Sequence, residues 1–290
     1  MLTRRRLVRA GVPRWYIRNE VTRRRWQEFG RQVVVLHNGP LDVVTRRRVA
    51  TEVAGPRAAL DGVCALQAAG VTGLTDESIE VSAPKGSKPG RLPGVKVRET
   101  RWFRGSDVIV RNGTRLMRPA VAAVHAGLWA RSDRQAKLFL IMVVQQRLAT
   151  VDQLQEVLDR TVRLVRQKVL LELLPALRAG SQSLGELDVA GALRARGLPV
   201  PEQQVLRRRR NGRQYLDCSF PAFGLILEID GAGHRFAEQA LQDFQRDLQL
   251  VAEGSKVVRL SLLAWALDPN AVLDALEELF RAHGWDRRAA

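Results

Sequence analysis

The stretch from Gln203 to Asp230 constrains this chain more than any other, because two turn signals in it set how three strands pair. Asn211-Gly212 favours a two-residue hairpin turn, since both central positions of that turn need positive φ. It predicts strands over Gln203–Arg210 and Arg213–Phe220. A second turn at Pro221, Ala222, Phe223 and Gly224 leads into Leu225–Asp230, an apolar run that ends in charge. If that hairpin is centred between Ala222 and Phe223, Asp217 stands opposite Glu228, and Asp230 lies two residues further along the same face. Three acids then share one small surface.

Like charges opposed across a sheet destabilise it, and a buried carboxylate needs a partner. A divalent cation is one solution: hard ions such as Mg²⁺ take one or two carboxylates together with water and substrate phosphate. The other is that the acids face solvent or pair with the many arginines nearby. Beyond Asp230, Gly231 and Gly233 allow a sharp turn that brings His234 beside the acids, where an imidazole can act as general base or acid near neutral pH. Phe236–Glu253 reads as a helix with Asp243, Arg246 and Asp247 on one face, either a solvated surface or a place where Arg246 meets a phosphate. Lys256–Leu260 reads as a strand, and Asp268-Pro269-Asn270 introduces a last helix over Ala271–His283.

These residues resemble the endonuclease-like domains related to very-short-patch-repair endonucleases, within the PD-(D/E)xK nuclease superfamily. The resemblance is carried by Asp217, by EIDG at Glu228–Gly231, by His234, by DFQRD at Asp243–Asp247 and by VVRLS at Val257–Ser261. Glu186 and the GLPVPEQQV stretch match the start of that domain. The resemblance implies a restriction-endonuclease-like αβ fold, with Asp217, Glu228 and Asp230 as Mg²⁺ ligands (Mn²⁺ as a substitute) and Glu186 and His234 as further catalytic residues. One departure is that Asp230 stands where the superfamily's name calls for lysine, so another group, such as His234, has to fill that role.

Composition bears on the partner. The formal charge is +17 and the pI near 11.3, which points to a polyanion, most commonly nucleic acid. The charge is concentrated at the start: the first fifty residues hold 13 arginines against 3 acids, a net +10. That start has no apolar run of signal-peptide type, no segment is long enough to span a membrane, and the two cysteines form no disulfide or zinc pattern. A cytoplasmic protein is expected. Cys218 should alternate to the face opposite Asp217 and belong to the core.

The basic end has the order of a winged helix-turn-helix. Thr3 can cap a helix through Arg9, Gly11-Val12 turn, and Pro13 opens a second helix carrying Arg14, Trp15 and Arg18. Arg23–Trp26 and Gly30–Leu36 read as the strands of a wing. In such a module the second helix enters the major groove and the wing follows the phosphates, so Arg14, Arg18, Arg23, Arg24 and Arg25 are candidate DNA contacts. Leu2 to about Gly73 also resembles the N-terminal domain of AbiEi-type antitoxins, through LTRRRLVRAGV, RRRWQEFGRQVVVLHNGPL and RAALDGVCALQAAGVTGL.

Further along, Val43–Ala54 and Gly62–Ala69 read as helices, and Ser78–Ala83 and Val95–Arg101 as strands. Helices are expected from Pro119, from Ser132 or Asp133 to Leu148, after Thr150, and over Val162–Arg178. The whole reads as an α/β (α+β) multidomain chain: a winged helix-turn-helix (1–40), a mixed α/β region (41–130), a helical connector (131–180) and a PD-(D/E)xK-like domain (181–290). The expected function is a Mg²⁺-dependent DNA endonuclease in repair, restriction or defence, with a homodimer suited to cutting both strands. The alternative is a DNA-binding regulator built on an inactive nuclease fold.

Overall fold

The computed structural model describes residues 1–161, 165–179, 188–208, 214–230, 248 and 257–286. It is a mixed α/β protein with three separate sheets, dividing into two compact units: Met1–Trp129 with Leu148–Leu164, and Ala130–Arg147 with Val165–Ala290.

The first unit begins with β1 (Leu2–Thr3), α1 (Arg4–Arg9), α2 (Arg14–Thr22), β2 (Gln27–Phe29) and β3 (Val33–Val35), whose strands form an antiparallel sheet ordered β1-β3-β2. Thr3 caps α1, accepting a hydrogen bond from the Arg6 amide at 3.3 Å. Leu7, Ile17 and Val34 form the small core beneath the two helices. Arg23–Trp26, expected as a wing strand, is instead the turn that ends α2. The amides of Arg25 and Trp26 both donate to the Glu20 carbonyl, and Arg24 sits at φ 56°, which a strand does not tolerate.

Next come α3 (Val43–Ala54), β4 (Ala59–Leu60), α4 (Gly62–Ala69), β5 (Ile79–Pro84), β6 (Val95–Thr100), β7 (Val108–Arg111), β8 (Thr114–Met117) and α5 (Pro119–Trp129). The five strands make a mixed sheet ordered β6-β5-β4-β8-β7. Val33, Val35 and Val49 pack together and join β3 to α3. Inside this unit Asp61 and His125 are both buried, with Nδ1 of His125 2.7 Å from the Asp61 carboxylate and its ring stacked on Trp129. The chain continues through α6 (Asp133–Gln145), which belongs to the second unit, and α7 (Val151–Arg160), which belongs to the first. A capping box between Thr150 and Gln153 starts α7, and Arg160 reaches the buried Asp107 at 2.7 Å.

The second unit adds α8 (Gln167–Ala179), α9 (Val189–Ala195), β9 (Gln203–Arg208), β10 (Gln214–Phe220), β11 (Leu225–Asp230), β12 (Val257–Ser261), α10 (Leu262–Leu267) and α11 (Pro269–Ala282). Helix α8 begins at Gln167, five residues later than the apolar pattern predicts, because Val165 and Arg166 are in a turn. The strands form one sheet ordered β12-β11-β10-β9, antiparallel except for the parallel pair β11 and β12. A parallel neighbour needs a crossover of a dozen or more residues, and residues 231–256 supply that length. Leu216, Cys218, Leu227, Ile229, Val258 and Leu260 point to one face and pack with α9 and α11 into a single core. Cys218 belongs to this core, and burial, with Asp217 adjacent, pushes its thiol pKa up to about 12.

Candidate functional site

The β10–β11 register is the one the second turn dictates. A short 3-10 turn over Pro221–Phe223, closed by Gly224 at φ 64°, pairs Phe220 with Leu225 and therefore Asp217 with Glu228. Gly224 is one position where glycine matters, since a side chain at that φ is strained. The first turn behaves differently. A two-residue turn at Asn211-Gly212 would pair Gln214 with Arg209, but Gln214 pairs with Arg208. The ladder is thus one position off that register, and residues 209–213 lie outside the described residues.

With the apolar residues committed to the core face, Asp217 and Glu228 fall on the other face, each about one-fifth exposed. Each carboxylate is held by an arginine from a flanking strand. Arg259 is the direct cross-strand partner of Glu228 on β12, and its Nε lies 3.2 Å from Oε2. On β9 the direct partner of Asp217 is Val205, so Arg207 reaches diagonally, with Nε 2.7 Å from Oδ2. The two guanidinium groups are 58% and 65% exposed. They offset the repulsion between opposed acids while remaining at the surface, where an ion pair contributes about 0–1 kcal/mol. Sequence reasoning noted arginines near the acids without choosing these two; the ladder makes the choice.

Asp230 ends β11, opposite Tyr215 and beside Ser261, and only its backbone position is described. Glu186, His234 and Arg246, with Asp243 and Asp247, lie outside the described residues. Among the described residues no group of three or more His, Cys, Asp or Glu side chains is arranged to hold a metal ion. The donor set that is described is the pair Asp217 and Glu228, which suits a hard cation that completes its shell with water and phosphate oxygens.

The arginine-rich end forms a second candidate surface. Arg14 and Arg18 lie exposed on α2, and Arg23, Arg24 and Arg25 are exposed in the turn behind it. A groove of ≈ 720 Å³ runs over this module, lined by Arg4, Arg5, Arg9, Arg14 and Arg31 among others. Both of the module's acids are paired, Glu20 with Arg25 at 3.5 Å and Glu28 with Arg4 at 2.8 Å. Among the described residues Arg14 and Arg18 have no carboxylate partner, so the net field of this face is positive. No helix of the described residues is long and apolar enough to cross a membrane.

No protein-family model matches the chain, and no curated protein matches it.

Proposed function

We propose that the protein is a divalent-metal-dependent DNA endonuclease, with the acid pair of the four-stranded sheet as its reaction centre and the basic winged-helix module as its DNA grip. The observation that carries this reading is the juxtaposition of Asp217 and Glu228 across β10 and β11. It is supported by the sheet itself, a three-strand meander with a parallel fourth strand that commits the apolar side chains to one face and leaves both acids on the other.

In this reading Asp217 and Glu228 hold Mg²⁺ or Mn²⁺, which when bound polarises the scissile phosphate and acidifies a water. Asp230 completes the acid set, and Glu186 and His234 retain the roles that the resemblance implies, His234 taking the proton of the attacking water. Arg207 and Arg259 hold the carboxylates in the absence of substrate. Their exposed guanidinium groups can turn to a phosphodiester, the planar donor fork matching either acceptor. DNA arrival then frees the acids as it binds the arginines, so metal and DNA would bind cooperatively.

The test is cleavage of supercoiled plasmid with Mg²⁺, Mn²⁺ or EDTA, comparing the intact protein with Asp217→Ala. Metal-dependent cutting that disappears in the variant is the expected result, and the ratio of nicked to linear product reports whether one protomer or a homodimer acts. The two arginine ion pairs favour a second reading, a DNA-binding regulator on an inactive nuclease fold, since they let opposed acids persist without metal. Salt-sensitive DNA binding with no cutting under any metal would select it.

A further inference from the structure

A cleft of ≈ 560 Å³ lies within the first unit, between β2, α3 and the starts of β5 and β6. Its walls are apolar: Phe29 on β2, Leu41 just before α3, Val49 on α3, Ile79 on β5, and Leu92 and Val95 at the entry to β6. Val49 belongs to the core it forms with Val33 and Val35, and Phe29, Leu41 and Leu92 pack against that core while staying partly exposed. The core is thus the floor of the cleft, and apolar surface above it still faces water, forgoing the gain of burial. The lip is built as firmly. Gly90 passes so close to the Val53 carbonyl of α3 that a Cβ there would collide with its oxygen, which seats the 85–94 loop on the helix. The Leu92 carbonyl then accepts from the Val95 amide at 3.1 Å and closes the turn that carries Pro93 and Gly94 along the cleft.

Only two of the lining side chains are polar, Gln27 and Arg46, and none is acidic. Gln27 spends its amide donor on the chain itself, giving to the carbonyls of Gly39 at 2.7 Å and His37 at 3.2 Å. Arg46 is exposed near the start of α3, and among the described residues its guanidinium forms no ion pair or hydrogen bond. Other arginines of this unit are committed: Arg47 donates to Gln67, Arg115 to Glu52 at 2.9 Å and Arg118 to Asp107 at 2.8 Å. An apolar cavity with one uncommitted charge in its wall has the make-up of a small-molecule site, where hydrocarbon contact fills the space and a few polar groups fix orientation. The planar donor fork of a guanidinium matches a carboxylate bidentately.

We propose that this cleft binds a small amphipathic monoanion, a carboxylate on a hydrocarbon body, with the body against Phe29, Leu41, Ile79 and Leu92 and the carboxylate on Arg46. A phosphodiester backbone has no apolar body to fill such a space, so the site is distinct from the DNA grip proposed above. It holds whether or not the acid pair cuts.

The experiment titrates the full chain with octanoate, below its micellar range, by calorimetry, with 1-octanol, octylamine and inorganic phosphate as comparisons. Saturable binding of one octanoate per chain is the expected result, roughly 10-fold tighter than octanol because a charge-assisted hydrogen bond is added. Octylamine and phosphate should bind more weakly still. Arg46→Gln should lower octanoate affinity by roughly the same 10-fold and leave octanol affinity and the melting temperature unchanged. Val95→Trp, which fills the cleft, should abolish binding of both. Equal affinity for octanoate and octanol, or octanoate binding indifferent to Arg46→Gln, overturns the proposal. Phosphate that competes as well as octanoate overturns it in favour of a simple anion site, and the absence of saturable octanoate binding removes the cleft as a ligand site. Plasmid cleavage and DNA affinity are read in separate assays, so failure here is distinct from failure of the nuclease reading.

Discussion

Arginine serves opposite ends in the two candidate surfaces. On the N-terminal helix-and-sheet module Arg14 and Arg18 are exposed and, among the described residues, form no ion pair with a carboxylate, while the module's two acids pair with other arginines, Arg4 and Arg25. On the four-stranded sheet Arg207 and Arg259 are directed at acids, and it is the acids that sit deeper. The first surface is a standing positive field and can attract a polyanion from a distance. The second holds Asp217 and Glu228 each in an ion pair with an arginine. A surface of the first kind governs encounter and affinity; one of the second kind governs what happens after binding.

The largest effect expected to divide the two surfaces is Asp217→Ala, which should reduce metal-dependent cleavage roughly a hundredfold or more, since a metal's charge stabilisation amounts to several kcal/mol. DNA affinity measured in EDTA should be unchanged or slightly higher. Loss of both together would mean that the two surfaces are not separate. Next in size, Ile17→Ala should destabilise the N-terminal helix-and-sheet module by about 2–5 kcal/mol, because a fully buried side chain leaves a cavity. Its readout is early loss of DNA binding on heating while Cys218 stays protected from thiol reagents. Exposure of the thiol at the same temperature would show that the two units unfold as one.

Smaller again is Arg24→Ala, for which we expect a few-fold weaker binding to any duplex and a salt slope lower by about 1. The pair Arg259 and Glu228 should show a coupling below about 1 kcal/mol in a double-mutant cycle followed by denaturation, as surface pairs do. A coupling of several kcal/mol would make the pair a structural element and count against its release by DNA. The smallest effect concerns pH. The Cys218 thiol is raised to about 12 in the folded state, so it stays protonated while an unfolded thiol ionises near its ordinary value. Stability from this group is therefore intact below about pH 8.5 and falls as pH rises above it. Cys218→Ser should flatten that alkaline decline in a melting-temperature series, and an unchanged slope would assign the decline elsewhere.

Much of this was legible in the chain itself where the determinant is local. Thr3, Asp42, Ser132 and Thr150 each cap a helix where the pattern places a start, through a side-chain oxygen that accepts from an amide three residues on. The Asp217–Glu228 pairing was legible for the same reason: a four-residue turn leaves one register, and alternation then sends every second residue to the core. Reading failed where a local signal met a competitor. Asn211-Gly212 is a strong turn pair, yet the ladder is offset by one residue from it. Arg23–Trp26 has the look of a strand, but the Glu20 carbonyl draws its amides back to the helix end.

Sequence alone determined the positive charge of the first fifty residues, the caps, and the hairpin that opposes two acids, because charge, capping and tight turns act over a few residues. The tertiary structure decided which partners those charges take. Arg259 is 31 residues from Glu228, and Asp61 and His125 are 64 apart; nothing in their spacing brings them together. Only the parallel pairing of β12 on β11 and the packing of α5 near α4 do so, since a long-range contact is chosen by the burial of the apolar faces around it. The helix period sets which residues of α2 share a face, but that Trp15 faces solvent and Ile17 the core depended on strand β3, whose Val34 packs with Ile17.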